Sequence, residues 1–283
     1  MKTSSVSKGN LTPAYAMSWA MGALLIVAAL PGALITGLYK DPAKLVAVDR
    51  GTDVVALAVA PALVISMILA GRGSARALLV WAGLVGWVLY NYVIYAFSLH
   101  FNPLFLVYVA LVSLSTFTLA TLIRRMDLDA VAADFHSATP ARVLAGFLFL
   151  VGGVFVLIWL SDVLPATFSG TIPQRLKDLQ TVSNPVEIND LAIVMPLLFV
   201  AGIWAWQHKP AGYVIGGALT TLAAVTMTAL LPGGPLFGTV QMDPLYAAVA
   251  VLSFAVLGLL LWRMGREAGA AAPAGLRPAQ VGS

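Results

Sequence analysis

Cysteine is absent, histidine occurs three times, and only 10% of the residues are Asp, Glu, Lys or Arg, against about 25% in an ordinary soluble domain. Without cysteine there are no disulfides, no thiolate-bound zinc and no Cys-ligated clusters. His100, His136 and His208 lie outside the apolar runs, so no two can face each other inside a bilayer, which argues against bis-histidine haem. There is no HExxH pattern and no neighbouring set of three zinc ligands. A Walker A loop, a dinucleotide-binding glycine fingerprint and a GxSxG elbow are also missing. All six lysines sit at or beyond the ends of apolar runs, which argues against a Schiff base held within the membrane. No catalytic residue, metal or cofactor is therefore assigned, and an enzymatic role is not favoured.

What is present is hydrophobic length. Of 283 residues, 60% are hydrophobic, arranged in eight runs at 15–38, 54–71, 77–99, 103–123, 143–164, 191–207, 211–232 and 244–263. Each is close to the ~20 residues that cross a bilayer as a helix. A β-barrel would need polar and apolar residues to alternate over segments of about ten, and these runs do not. A soluble protein this apolar would lack the polar residues to cover its surface. The expected class is an all-α polytopic membrane protein with about eight transmembrane helices. The first run follows Lys2 and Lys8, is long and precedes seven more, so it reads as a retained helix and not a cleaved signal. With both termini inside, eleven of the sixteen Lys and Arg residues fall on the inner side, which favours an N-in, C-in topology. Trp19, Trp81, Trp204, Trp206 and Trp262 then fall near the inner interface, where indoles collect. Eight acids fall outside against five basic residues, leaving the outer face acidic. The net charge of +4 reflects orienting basic residues, and nucleic acid is not an expected partner.

Polar landmarks recur in order. Asn102-Pro103-Leu104-Phe105 opens one run and Asp243-Pro244-Leu245-Tyr246 another, 141 residues later. Val109-Ala110-Leu111-Val112-Ser113 answers Val249-Ala250-Val251-Leu252-Ser253. Asp53 and Asp190 are 137 apart, and Pro61 and Pro196 are 135 apart. The pattern predicts two parallel four-helix repeats, whose symmetry axis runs along the membrane normal because each repeat has an even number of spans. The expected divisions are a cytoplasmic N-terminus (1–14), a first repeat (15–126), a cytoplasmic linker helix (127–142), a second repeat (143–265) and a disordered tail (266–283). Leu128, Val131 and Phe135 share one face of the linker. Short surface helices are expected after span one, from Asp41-Pro42 to Val48, and after span five, starting at Pro173.

The candidate ligand-binding residues lie toward the outer half. Asn91 and Tyr95 share a helical face with Ser98, and an amide at membrane depth must face a partner or a wet cavity. Asp53, Asp190, Asn102 and Asp243 each stand at the outer start of a run, where they would either cap the helix or line an acidic vestibule. Asp162 would lie at a helix C-terminus, where a carboxylate opposes the dipole and needs a partner such as Arg50, Arg175 or Lys177. His100 is a further outer candidate. These residues lead to the expectation of a transporter- or channel-like protein with a polar cavity in the outer half between the repeats. Its expected partners are the lipid bilayer, a small solute or cation, and a membrane partner protein, and its expected location is the plasma or inner membrane. The alternatives are a membrane enzyme acting on a lipid or quinone at the outer leaflet, using His100, Asp162 and the tyrosines, and a non-catalytic sensor or complex subunit.

Overall fold

A computed structural model describes residues 9–133, 135, 138–237 and 243–264. The helices are α1 (Thr12–Leu34), α2 (Ala43–Gly71), α3 (Ala75–Ser98), α4 (Phe105–Arg125), α5 (Leu128–Ala132), α6 (Ala138–Ser169), α7 (Gln174–Leu179), α8 (Pro185–Asn189), α9 (Met195–Trp206), α10 (Pro210–Ala229), α11 (Gly233–Phe237) and α12 (Pro244–Arg263). A π-helical turn at Asp190–Val194 joins α8 to α9 into one continuous span, Pro185–Trp206. No strand occurs among the described residues, and eight of these helical segments are long and apolar enough to cross a bilayer. The chain is a multi-pass membrane protein. His136 and the tail from 266 lie outside the described residues.

The second span begins well before its apolar run. α2 starts at Ala43, with Pro42 as its N-cap residue, so Asp49, Arg50 and Asp53 are helical. The separate surface helix expected up to Val48 is instead the first turns of α2. Hydropathy marks where a helix becomes apolar, whereas the helix itself continues as long as its backbone bonds form and its faces pack. Here the polar turns are buried by α11: a side-chain carbon on Gly51 would strike the backbone of Pro232 and Gly233. After span five the expected short helix is present as α7, with Pro173 at its N-cap.

α1 packs on α2 and α4, and α3 packs on the same two helices. In the second half α6 packs on α9 and α12, and α10 packs on the same two. The halves meet where α3 crosses α10, the two most buried spans. At the crossing Gly83 lies against Ala218 and Thr221 so closely that a Cβ there would overlap both, and Gly217 lies against Leu79. Small residues at a membrane helix crossing permit this approach. Gly83 and Thr221 are 138 residues apart, and so are Leu79 and Gly217.

The same interval relates the inward faces of α4 and α12. Leu111 and Val249, Ser115 and Ser253, and Leu122 and Leu260 are all buried. Ser115 and Ser253 each donate to the carbonyl four residues back, at 2.6 Å. The buried faces therefore match at 138, whereas the Val109–Ser113 and Val249–Ser253 alignment matches at 140. Ser113 is exposed and Ser115 is the buried residue.

Both described chain ends lie at one end of the bundle. Gly9 touches Arg125, and the Arg76 guanidinium donates to the Met264 carbonyl. This basic end also carries Arg72, Arg124 and Lys209, while the opposite, acidic end carries Asp41, Asp49, Asp53, Asp190 and Asp243. Trp19, Trp206 and Trp262 are about half exposed, as a lipid-interface belt requires. Trp81 is not part of that belt. It is fully buried, stacks on Tyr15 at 5.3 Å between ring centroids and donates to Ser18 at 2.9 Å. The linker helix is only α5, with Asp127 capping it through the Ala130 amide at 3.1 Å. Val131 and Phe135 are buried, and Phe135 stacks on Tyr213 at 4.7 Å, which fixes the linker to the start of α10.

Candidate functional site

A cavity of about 300 Å³ opens at the acidic end, where the two halves meet. Its walls come from α2 (Val48, Asp49, Thr52), α3 (Trp87, Tyr90, Asn91, Tyr95), α6 (Phe155, Trp159), α10 (Thr226, Met227) and α12 (Tyr246). The Asp190 turn, Arg175 of α7, Thr181 and Asp243 also contribute to the lining. Aromatic and aliphatic surface dominates, so the expected polar cavity is in fact amphipathic. A second cavity of about 30 Å³ shares Tyr90, Phe155, Asp190 and Thr226 and continues beside the π turn between α6, α9 and α10.

Two buried carboxylates that accept hydrogen bonds from aromatic side chains flank this space. Asp53 is fully buried in α2 and accepts from the Tyr39 hydroxyl at 2.5 Å and the Tyr95 hydroxyl at 3.4 Å. Tyr95 also donates to the Asp49 carbonyl at 2.9 Å. Tyr39 belongs to the connection between α1 and α2 and reaches Asp53 through the gap left by Gly32, where a Cβ would overlap both the carboxylate and the phenol. Burial, reinforced by the neighbouring Asp53 charge, pushes the Tyr39 phenol well above its ordinary pKa and keeps it a donor. Asp190 accepts from the Tyr90 hydroxyl at 3.0 Å and from Trp159 Nε1 at 2.9 Å. α3 thus supplies one phenol to each carboxylate, Tyr95 to Asp53 and Tyr90 to Asp190.

Other lining groups have no partner. Asp49 Oδ2, Asn91 Nδ2, Thr181 Oγ1 and Thr226 Oγ1 are buried and make no hydrogen bond among the described residues. An orphaned buried polar group costs about 1–3 kcal/mol, so several around one cavity point to a ligand or water that completes them. The lining acids are Asp49, Asp190 and Asp243, and Arg175 is the lining cation. The Arg175 guanidinium lies over the Trp159 ring at 4.7 Å and within electrostatic reach of Glu187.

The sequence candidates separate on this geometry. Asn91, Tyr95, Asp190 and Asp243 line the cavity, and Asp53 stands behind Tyr95. Asp243 also caps α12 through the Leu245 amide at 2.9 Å. Capping does not describe Asp53 or Asp190, which lie within continuous helical spans. Asn102 is a local cap, accepting from the Leu104 amide at 2.9 Å and donating to the His100 carbonyl at 3.3 Å. His100 is exposed and bonded to Asp41 at 2.7 Å. Asp162 is not at a helix C-terminus, because α6 runs on to Ser169. Its carboxylate accepts from the Gln174 and Arg175 amides at 3.1 and 3.3 Å and so caps α7. His100, Asn102 and Asp162 are not among the cavity residues.

Asp49, Tyr39 and Trp159 were not singled out as site residues by sequence reasoning. One signal for Asp49 was available: it stands four residues before Asp53, on the same face once the helix is known to start at Ala43. Compared with known proteins, the chain matches no family model, no curated protein and no solved structure.

Proposed function

We propose that this protein is a small-solute transporter of the plasma or inner membrane, with both termini inside and its solute site in the amphipathic cavity. The observation that carries the reading is the junction itself. Both halves build one cavity, and its walls present Asp49, Asn91 and Thr226 without partners among the described residues, the last two within apolar spans. Polar groups placed so in a membrane bundle mark a ligand path more often than a structural need.

The architecture supports the reading. Each half packs its four spans in the same pairwise pattern. At the α3–α10 crossing, residues 138 apart meet each other, as expected where two equivalent units touch along a two-fold axis. Parallel repeats about an axis normal to the membrane, with a site at their interface, are a transporter plan. The concentration of Arg and Lys at the end shared by the termini supports placing that end inside. Of the acid–base set of the enzyme alternative, only the tyrosines line the cavity, while His100 bonds Asp41 and Asp162 caps α7, which favours transport over that alternative.

The cysteine-free chain makes a direct test available. Thr226→Cys carries a single thiol, which membrane-impermeant methanethiosulfonate reagents can probe from either face of reconstituted vesicles. A transporter exposes the cavity to each side in turn, so labelling from both faces is expected. Labelling from the outer face alone would replace transport with a sensor or receptor role. Protection from both faces would remove the cavity as a site.

A further inference from the structure

Resting on that reading, we infer that the solute is a small organic amine, bound as its cation with the ammonium at Asp49 and an apolar body against the aromatic walls. The inference starts from a charge imbalance. Asp49, Asp53 and Asp190 are all buried at the acidic end, and none forms an ion pair among the described residues. Asp190 receives two donated hydrogen bonds from aromatic side chains, and Asp53 receives one from Tyr39 and shares the Tyr95 proton with the Asp49 carbonyl. Asp49 differs: its side chain is buried at the cavity wall and Oδ2 receives no hydrogen bond among the described residues.

The nearby cations are committed. Arg50 turns away and donates to the Ala33 carbonyl at 2.8 and 3.3 Å, with its guanidinium 4.3 Å from the Phe237 ring centre. Arg175 lies on Trp159 with Glu187 in reach. An unpaired buried carboxylate is costly in a low-dielectric setting, and a cation delivered by the ligand would complete it. A metal ion is a poor fit, because no group of three or more His, Cys, Asp or Glu side chains that could hold one occurs among the described residues.

The remaining walls describe the rest of the molecule. Trp87, Tyr90, Phe155 and Trp159 present ring surface, which suits both an apolar body and, through the ring faces, a cationic head. Asn91 and Thr226 can take up a hydroxyl or carbonyl on the same molecule. A volume of about 300 Å³ is at the small end of ligand pockets, which favours one ring or a short chain.

The test uses the full-length protein in nanodiscs and three probes of nearly equal shape: 2-phenylethylamine, 2-phenylethanol and 3-phenylpropionate. Calorimetric titration at neutral pH is expected to show the amine binding at least about tenfold more tightly than the alcohol, with the acid weakest. Asp49→Asn should abolish the preference for the amine over the alcohol. Equal binding of amine and alcohol, or a preference for the acid, would overturn the cation inference and leave the cavity as a site for another solute class. No binding by any probe would overturn both the inference and the cavity reading. An amine preference that survives in Asp49→Asn would remove Asp49 from the assignment. Because the three-probe comparison is made on the unmutated protein, it stands even if the variant fails to fold.

Discussion

Asp53 and Asp190, 137 residues apart, are buried carboxylates that each accept hydrogen bonds from aromatic side chains, and they are built differently. Asp53 lies in an unbroken α-helix and is sealed by Tyr39, which drops in from a connecting segment through the space left by Gly32. Asp190 starts a π-helical turn, takes its bonds from two helices of the bundle and faces the cavity. π-turns inside helices frequently accompany functional sites. One centre is closed by a hydroxyl from a connecting segment, and the other opens onto the cavity.

Crowding the closed centre should have the largest effect. Gly32→Ala places a methyl group where the Asp53 carboxylate and Tyr39 hydroxyl already sit. Overpacking of this kind costs about 1–3 kcal/mol, and expelling Tyr39 would add the loss of its bond to a buried acid. Gly153→Ala in α6 is the matching control, because a Cβ there meets no atom within 4 Å. Unfolding in mixed micelles should show a large loss for the first and almost none for the second. Equal, small effects would mean that the Asp53 centre is not tightly closed.

Removing single hydroxyls refines the contrast. Tyr39→Phe leaves Asp53 Oδ2 without its 2.5 Å donor in a fully buried site and should cost about 1–3 kcal/mol. Tyr90→Phe removes one donor from Asp190, which keeps Trp159 and borders a cavity where water can substitute. Its cost should be about 1 kcal/mol or less. A larger loss from Tyr90→Phe than from Tyr39→Phe would reverse the assignment of open and closed centres.

These particulars show how far the sequence could be read. Eight spans follow from run length, and Asp53 and Asp190 stand out as acids beside those runs, since both are strong signals in an apolar background. The helical setting of Asp53 does not follow, because hydropathy cannot see the polar turns from Ala43 to Asp53 that α11 buries. The alignment of α4 with α12 slips by two residues for a related reason. Runs of Leu, Val, Ala and Ser match at several registers, and burial singles out Ser115, not Ser113, as the serine in the same packed setting as Ser253. Of the site, Asn91 and Tyr95 are visible as polar residues at membrane depth. Tyr39 and Trp159 are not, because an aromatic residue at a span end has many ordinary roles and only the fold brings these two onto carboxylates.

The smallest effects should come from the connections that hold the closed centre in place. Asp41, one residue beyond Lys40 in the Tyr39 segment, bonds both the backbone amide and the ring Nδ1 of His100, at 3.1 and 2.7 Å. The Asp41 side chain is 3% exposed and that of His100 is 64% exposed. His100→Ala removes only the exposed ring contact, which solvent screens, so a change of roughly half a kcal/mol or less is expected. Asp41→Ala also strips the partner from the His100 amide and frees the segment that carries Tyr39, so it should be the more damaging of the two. Its loss should shrink in a Tyr39→Phe background, because the segment then no longer delivers a bond to Asp53, and a double-mutant cycle reads that coupling directly. Strict additivity would show that the surface pair and the buried pair act independently, and that the closed centre is held by Gly32 packing alone.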